Sequence, residues 1–299
     1  MTAPQVSYLV TVFNKAAVLG ETLAAIRAQS GGASCEIVCV DDGSTDGSRA
    51  LLAAEAARDP RLRVLGDAAN RGPAIRINQA AQAARGAWLH PVDGDDLLPP
   101  NATQWLMAQA RRCDAPLVFG RATRGLSDAP IPDSAESRRV TDPLRFAARR
   151  QITHMGFLCT RALWMAAGGA DEGVFIQDQS LPLRLSAHAP ALAWTSAVVY
   201  RLRPAGDASL SRNVAQQHHD RYLSALHLMR DHPEPALAAM MLSALWKLRR
   251  DGFGGGGAPA LSADFARYAL NKALGWAPPL AWFEARAARL AALPGVRRP

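Results

Sequence analysis

The residues in this chain best suited to chemistry form one short acidic cluster, Asp93-Gly94-Asp95-Asp96, directly after an apolar run that ends at Val92. Three carboxylates within four residues repel one another, and the arrangement costs free energy unless a cation compensates it. Hard divalent ions such as Mg²⁺ and Mn²⁺ take oxygen ligands, and Mg²⁺ is typically held by one or two carboxylates together with substrate phosphates. A solvated Asp-Gly turn would put the same residues there for no chemical reason, so this cluster alone does not decide. A second acidic run, Asp41-Asp42-Gly43-Ser44-Thr45-Asp46, follows Val40 in the same way. Ser44 or Thr45 could simply cap a following helix. Alternatively, an Asp at a strand end can accept hydrogen bonds from a base or ribose, as in dinucleotide-binding folds. Two such clusters at the carboxyl ends of strands in one sheet would face one crevice, and together they favour a ligand site.

The elements that must position these residues read as βαβ units. From residue 5 to about 120, short β-branched apolar runs alternate with longer segments of helical period, which argues for a mostly parallel sheet. The pattern predicts strands at Val6–Val12, Glu36–Val40, Leu62–Leu65, Ala87–Val92 and Pro116–Phe119. Crossover helices are expected at Ala17–Gln29, Thr45–Arg58, Pro73–Ala84 and Asn101–Arg112. Residues 121–150, rich in Pro, Ser, Asp and Arg, read as a long loop. Met155–Thr160 and Ala191–Tyr200 read as strands flanking a helix around Asp178–Ala187. Beyond residue 213 the chain reads as helical, notably at Tyr222–Arg230 and Pro235–Arg250. A flexible break is expected at Asp251–Pro259, around the run Gly254–Gly257. One or two short Arg-containing amphipathic helices should follow, ending at Pro294.

In order and spacing, four motifs resemble those of the family 2 glycosyltransferases with the GT-A fold. They are Thr11-Val12-Phe13-Asn14, Val40-Asp41-Asp42-Gly43-Ser44-Thr45-Asp46, Asn70-Arg71-Gly72 with Asn78, and Val92-Asp93-Gly94-Asp95-Asp96. The resemblance covers residues 5 to about 105 strongly and extends more weakly to about 213. It implies an α/β GT-A domain over 1–213, with a nucleotide-sugar-binding half at 5–120 and an acceptor and catalytic-base half at 150–213. A helical region at 214–299 would complete the chain.

The resemblance also implies roles. Thr11, Val12, Phe13 and Asn14 would line the nucleotide pocket, with Asp41, Asn70, Gly72, Asn78 and Gly94 among the donor-binding positions. Asp42 would hydrogen-bond the base, commonly uracil. Asp93 would lie near the ribose and diphosphate, and Asp95, with Asp93, would ligate Mg²⁺ or Mn²⁺. Gln177-Asp178-Gln179-Ser180-Leu181 with Arg184 matches the helix head that carries the family's base, so Asp178 inherits that role. Gln177 stands where the family usually has Glu, and Ile77 where it often has Arg. Tyr200-Arg201-Leu202-Arg203, with Ser209 and Ser211 beyond, resembles the loop that closes over the diphosphate, and Arg201 and Arg203 would neutralise its charge. The implied activity is inverting transfer of a sugar from a nucleotide diphosphate donor, commonly a UDP-sugar. The acceptor would be a hydroxyl on a glycan or lipid-linked molecule in polysaccharide, cell-envelope glycan or glycolipid synthesis.

Composition bounds the alternatives. With 299 residues, 49% of them hydrophobic and 20% charged, the chain can bury a full core. Its net charge of +8 is compatible with an anionic substrate or membrane surface, but no basic stripe interleaved with aromatics marks a nucleic-acid module. Arginines near the C-terminus, including Arg286 and Arg289 among Leu280, Trp282, Phe283, Leu290 and Leu293, raise two options: peripheral membrane contact or packing on the protein's own core. Cys35 and Cys39 lie about 13 Å apart on an extended strand, too far for a disulfide. The adjacent His218 and His219 read as surface residues. No secretory signal pattern and no apolar run of about 18 residues is read, so a cytoplasmic protein, peripheral at most to the inner face of the cell membrane, is expected. A nucleotidyltransferase would need a Gly-rich basic loop where Phe13-Asn14-Lys15-Ala16-Ala17 stands, and no P-loop is present. A nucleotide-sugar-binding protein without activity stays open beside the enzyme.

Overall fold

A computed structural model of the chain describes residues 3–29, 32–127, 129–204, 212–253 and 263–298. Ser209, Ser211 and the run Gly254–Gly257 lie outside these residues. The chain divides into two compact units, one of residues 1–143, 154–170 and 188–204, the other of 144–153, 171–187 and 205–299.

The first unit holds an eight-stranded sheet of order β3-β2-β1-β4-β7-β5-β8-β6. Its strands are β1 (Val6–Val12), β2 (Cys35–Asp42), β3 (Leu62–Asp67), β4 (Trp88–Asp93), β5 (Leu117–Arg124), β6 (Ser137–Val140), β7 (Phe157–Thr160) and β8 (Leu192–Leu202). β1 pairs in parallel with β2 and β4, and β2 with β3. β7 runs antiparallel between β4 and β5, β5 pairs in parallel with β8, and β6 closes the edge antiparallel to β8. Both faces of β1 are covered, which is why Val6, Tyr8, Leu9, Val10 and Val12 are all buried and the strand reads as continuously apolar. Helices α1 (Leu19–Arg27), α2 (Ser48–Arg58), α3 (Pro73–Ala83), α4 (Ala102–Arg112) and α6 (Arg161–Ala166) belong to this unit. α1 buries Leu19, Thr22, Leu23 and Ile26, one stripe at helical spacing. Pro73 opens α3, where its missing N–H costs nothing.

The register brings the acidic segments to one edge. Thr11 is paired with Asp93, Val12 with Asp41, and Asp42 with Asp67. Two expectations need correction here. β2 continues through Asp42, so Asp41 and Asp42 end the strand rather than follow it. α2 starts at Ser48, and Asp46, not Ser44 or Thr45, accepts from the Ser48 N–H at 3.0 Å.

The second unit is helical: α5 (Pro143–Arg150), α7 (Gln177–His188), α8 (Val214–Asp231), α9 (Pro235–Arg250), α10 (Ala263–Leu274) and α11 (Leu280–Ala291). α8 and α9 form its core through residues such as Leu226, Leu237, Met241 and Leu242. α11 lies on α8, with the Tyr222 hydroxyl donating to the Phe283 carbonyl at 2.7 Å. α10 lies on α9, with the rings of Trp246 and Phe265 4.8 Å apart. The segment 121–150, expected as loop, carries the end of β5, all of β6 and α5. β6 is four residues long and polar, and α5 buries Pro143, Ala147 and Ala148 but no large apolar side chain, so neither announces itself by an apolar period.

Candidate functional site

The loop after β1 is laced to the loop after β2. Asn14 adopts a left-handed backbone, φ 53°, which its short polar side chain tolerates. Its Oδ1 accepts the Thr45 N–H at 2.8 Å, and its own N–H donates to Ser44 Oγ at 3.0 Å. Lys15 N–H donates to Ser48 Oγ at 2.8 Å and Ala16 N–H to Asp46 Oδ2 at 2.9 Å. Val12 is buried beneath this loop, while the Phe13 side chain is exposed. With its backbone fixed in this way, Lys15 extends its ammonium to Asp95 Oδ2.

The second acidic segment is equally constrained. Gly94 lies so close to β1 that a Cβ there would stand 2.8 Å from the Thr11 carbonyl oxygen, and its N–H donates to that oxygen at 3.0 Å. Thr11 Oγ1 is 3.4 Å from Asp93 Oδ1. The Asp93 N–H donates to the buried Tyr200 hydroxyl at 2.9 Å. Leu97 and Arg201 exchange backbone hydrogen bonds, which ties the end of β8 to the acidic turn. Arg203 then reaches the cluster: its N–H donates to Asp96 Oδ1 at 2.9 Å, its Nε to the Asp95 carbonyl at 2.9 Å, and its Nη2 to Glu21 at 2.8 Å. The Arg201 guanidinium goes elsewhere, to the Ala129 carbonyl at 2.8 Å. Burial, together with the charges of Asp93 and Asp95, pushes the Asp96 carboxyl up to about 8.

Among the described residues no group of three or more His, Cys, Asp or Glu side chains is arranged to hold a metal. A divalent ion bound by one or two carboxylates and completed by substrate phosphates needs no such group. Asp95 and Asp93 fit that role, whereas Asp96 is buried, accepts the Arg203 N–H and is held toward its neutral form first by burial and then by the charges of Asp93 and Asp95.

Asp42 is 3% exposed and its carboxylate is fully engaged within the protein. It accepts from Arg71 N at 2.7 Å, Gly72 N at 3.0 Å and Arg76 Nε at 2.8 Å. Arg76, 1% exposed, also reaches Asp67 at 2.7 Å and Gln79 at 2.9 Å. Asp41 is buried and faces the Ser44 N–H at 3.3 Å. Asn70 is exposed, and Gly72, φ 89°, makes the turn into α3. The Asn78 amide is committed to Ala170, accepting its N–H at 2.8 Å and donating to its carbonyl at 2.9 Å.

In the second unit Asp178 stands in the first turn of α7, where a carboxylate is favoured by the helix dipole. Gln179 Nε2 donates to Asp178 Oδ1 and to Gln217 Oε1, each at 2.9 Å, and Arg221 Nε donates to Gln179 Oε1 at 3.2 Å. The approach to α7 is held by Asp220, fully buried, which accepts the Ile176 N–H at 2.7 Å and also receives Gln216 Nε2 at 2.8 Å. His219 Nδ1 lies 2.7 Å from the same carboxylate. His218 and His219 are therefore buried, contrary to the surface position expected from the sequence. Burial pushes His218 down to about 4.

Sequence reasoning missed Lys15, Arg76, Asp220 and Arg221 as parts of these networks. The signal for Arg76 was a cation one residue before Ile77, where the resemblance had marked an arginine as missing. The others carry no local signal.

A model of glycosyl transferase family 2 matches residues 7–166, more than half of the chain. The succinoglycan biosynthesis protein ExoO of Rhizobium meliloti is 32% identical over 137 residues, 43% of this chain and 38% of that protein. Glycosyltransferase GlyG of Streptococcus pneumoniae is 34% identical over 115 residues, 38% of each chain. The matches thus span about two fifths of the length of these curated relatives. Among solved structures, S. aureus TarS 1-349 in complex with UDP-GlcNAc superposes with a TM-score of 0.67 at 19% identity, covering 96% of this chain and 83% of that one. The mannosyltransferase PcManGT from Pyrobaculum calidifontis, in complex with GDP-Man and Mn²⁺, gives 0.57 at 20% identity, covering 98% and 86%. These two share the fold: a Rossmann-like, mostly parallel sheet flanked by helices, extended at the C-terminus by helices α8–α11.

Proposed function

The chain belongs to glycosyltransferase family 2, and from that premise we propose that it is an inverting enzyme that moves a sugar from a UDP-sugar to an acceptor hydroxyl of a glycan or lipid-linked molecule. We assign the transfer chemistry to residues 1–213 and an accessory role to 214–299. The observation that carries the proposal is the register of the sheet, which puts Thr11, Asp41, Asp42 and Asp93 at one carboxyl edge, where ligands bind in open α/β sheets.

In this reading the β1 and β2 loops hold the nucleoside, with Thr11, Val12, Phe13 and Asn14 on one side and Asp41 and Asp42 beneath the base. Asp42 acts from within the protein: its pair with Arg76 keeps the Asn70-Arg71-Gly72 turn in place. Asp93 and Asp95 would hold Mg²⁺ or Mn²⁺, which when bound supplies Lewis-acid compensation of charge on the diphosphate. Arg203 adds fixed positive charge beside the same acidic turn. Asp178 takes the proton of the acceptor hydroxyl as the new glycosidic bond forms and the nucleoside diphosphate leaves. A single displacement inverts the anomeric centre, and base assistance of this kind typically contributes 10² to 10⁴ in rate.

The test is release of nucleoside diphosphate by the pure protein from a panel of nucleotide sugars, with and without Mn²⁺ or Mg²⁺. Turnover should require the cation and fall by orders of magnitude in Asp95→Asn. Full turnover in excess chelator, or an Asp95→Asn protein as active as the parent, sinks the metal assignment. Absence of turnover, with metal-dependent nucleotide binding retained, would favour the binding-protein reading, for which Gln177 in place of Glu is the motivating feature.

No helix among the described residues is long and apolar enough to cross a membrane. We propose peripheral contact with an anionic membrane surface through α10 and the residues after it, in a cytoplasmic protein. Leu270, Leu274 and Trp276 are exposed there near Arg267 and Lys272. α11 is a poorer candidate, because Phe283 and Leu290 are buried and Trp282 is covered by Arg286, whose guanidinium carbon lies 3.3 Å from the ring centroid.

A further inference from the structure

We propose that Lys15 is a resident counter-ion of Asp95 that a divalent cation must displace, so that this lysine sets the protein's intrinsic metal affinity. The inference rests on the metal-dependent reading above and adds a residue that no motif of that reading contains.

The geometry has three parts. First, Lys15 makes the ion pair of Asp95: its Nζ sits on Asp95 Oδ2, whereas Arg203 donates to the Asp95 backbone carbonyl and leaves the carboxylate alone. Second, the Lys15 backbone does not move easily. Its N–H is held by Ser48 Oγ at 2.8 Å, and its carbonyl accepts from Val18 N at 3.0 Å and Leu19 N at 2.9 Å. Only the side chain is left to rearrange. Third, both partners are partly open, each 29% exposed, so the ammonium can leave Asp95 and remain hydrated.

A divalent cation and an ammonium do not share one carboxylate oxygen at ligand distance: at about 4 Å their mutual repulsion exceeds the ammonium's attraction to the carboxylate but stays below the metal's, so the lysine is the partner displaced. Binding of the metal therefore requires the lysine to swing away. Lysine suits this exchange better than arginine, since its charge is a compact point on a flexible stem rather than a planar fork that binds a carboxylate bidentately. The consequence is a site whose carboxylate stays compensated without metal, and whose metal affinity is lowered by an internal competitor.

The measurement is Mn²⁺ binding without nucleotide, followed by the electron paramagnetic resonance signal of free Mn²⁺. The parent, Lys15→Met, Lys15→Gln, Lys15→Arg and Asp95→Asn are compared. Both neutral variants should bind Mn²⁺ about threefold to tenfold more tightly than the parent, the effect of removing one nearby positive charge from a partly exposed pair. Lys15→Arg should bind no more tightly than the parent and more weakly where its fork holds Asp95 bidentately, and Asp95→Asn should bind much more weakly. The Mn²⁺-induced rise in melting temperature should be larger in Lys15→Met and Lys15→Gln than in the parent. If the neutral variants bind Mn²⁺ no more tightly while Asp95→Asn loses binding, the counter-ion role is wrong and the metal site stands. If Asp95→Asn binds Mn²⁺ as well as the parent, the metal assignment fails and takes the proposal with it. Lys15→Gln keeps the comparison open should Lys15→Met not fold.

Discussion

Arg76→Met isolates the buried ion pair beneath the acidic edge. Methionine keeps most of the apolar stem and removes every donor of a side chain that is 1% exposed. Asp42, 3% exposed, would lose the one side-chain counter-charge it has among the described residues and keep two backbone donors, Arg71 N and Gly72 N. Removing one partner of a buried pair typically costs about 3–5 kcal/mol, because the remaining charge is left uncompensated in a poorly polarisable interior. The two surviving N–H bonds place the expectation at the low end, about 3 kcal/mol. The bond from Arg76 to Asp67 adds little, since the Asp67 side chain is half exposed. In Asp42→Asn/Arg76→Met no charge is stranded, so the double variant should be more stable than the sum of the single losses predicts by about 2 kcal/mol. Equilibrium urea unfolding, compared at constant slope, reads both quantities. A loss below about 1 kcal/mol for Arg76→Met, or additivity of the two substitutions within about 0.5 kcal/mol, would refute the reasoning.

Asp178→Asn should fold, retain metal-dependent donor binding by calorimetry and lose transfer by about 10² to 10⁴; near-parental transfer, or a product that keeps the donor's anomeric configuration, would identify Asp178 as a helix-end residue only. The Asp96 carboxyl is raised from its ordinary value to about 8 by burial and then by Asp93 and Asp95. The folded protein therefore holds a proton there that the unfolded chain releases, and stability should fall as pH rises from about 4 to 8. Asp96→Asn should flatten that slope in metal-free buffer, and an unchanged slope of urea midpoint against pH would show that the carboxyl titrates normally. Co-sedimentation at low salt should favour anionic over neutral vesicles and weaken in Leu274→Glu/Trp276→Ser; equal binding to both vesicle types removes the membrane contact.

The βαβ order, the positions of β1, β3 and α9, and the residues of the acidic edge were legible in the sequence. They depend on local alternation of apolar and polar residues and on carboxylates that directly follow apolar runs. The same logic explains the failure over 121–150, where β6 is a short polar edge strand held by its neighbour β8 rather than by its own side chains. The tertiary structure alone decided the partners. Asp42 meets Arg76 across 34 positions, Lys15 meets Asp95 across 80, and Asp220 meets the Ile176 N–H across 44. A charged side chain is acceptable in the interior only where an opposite charge or a donor arrives beside it. Which residue arrives is set by strand order, loop lacing and helix packing, so His218 and His219 look like surface residues in the chain and are buried in the protein.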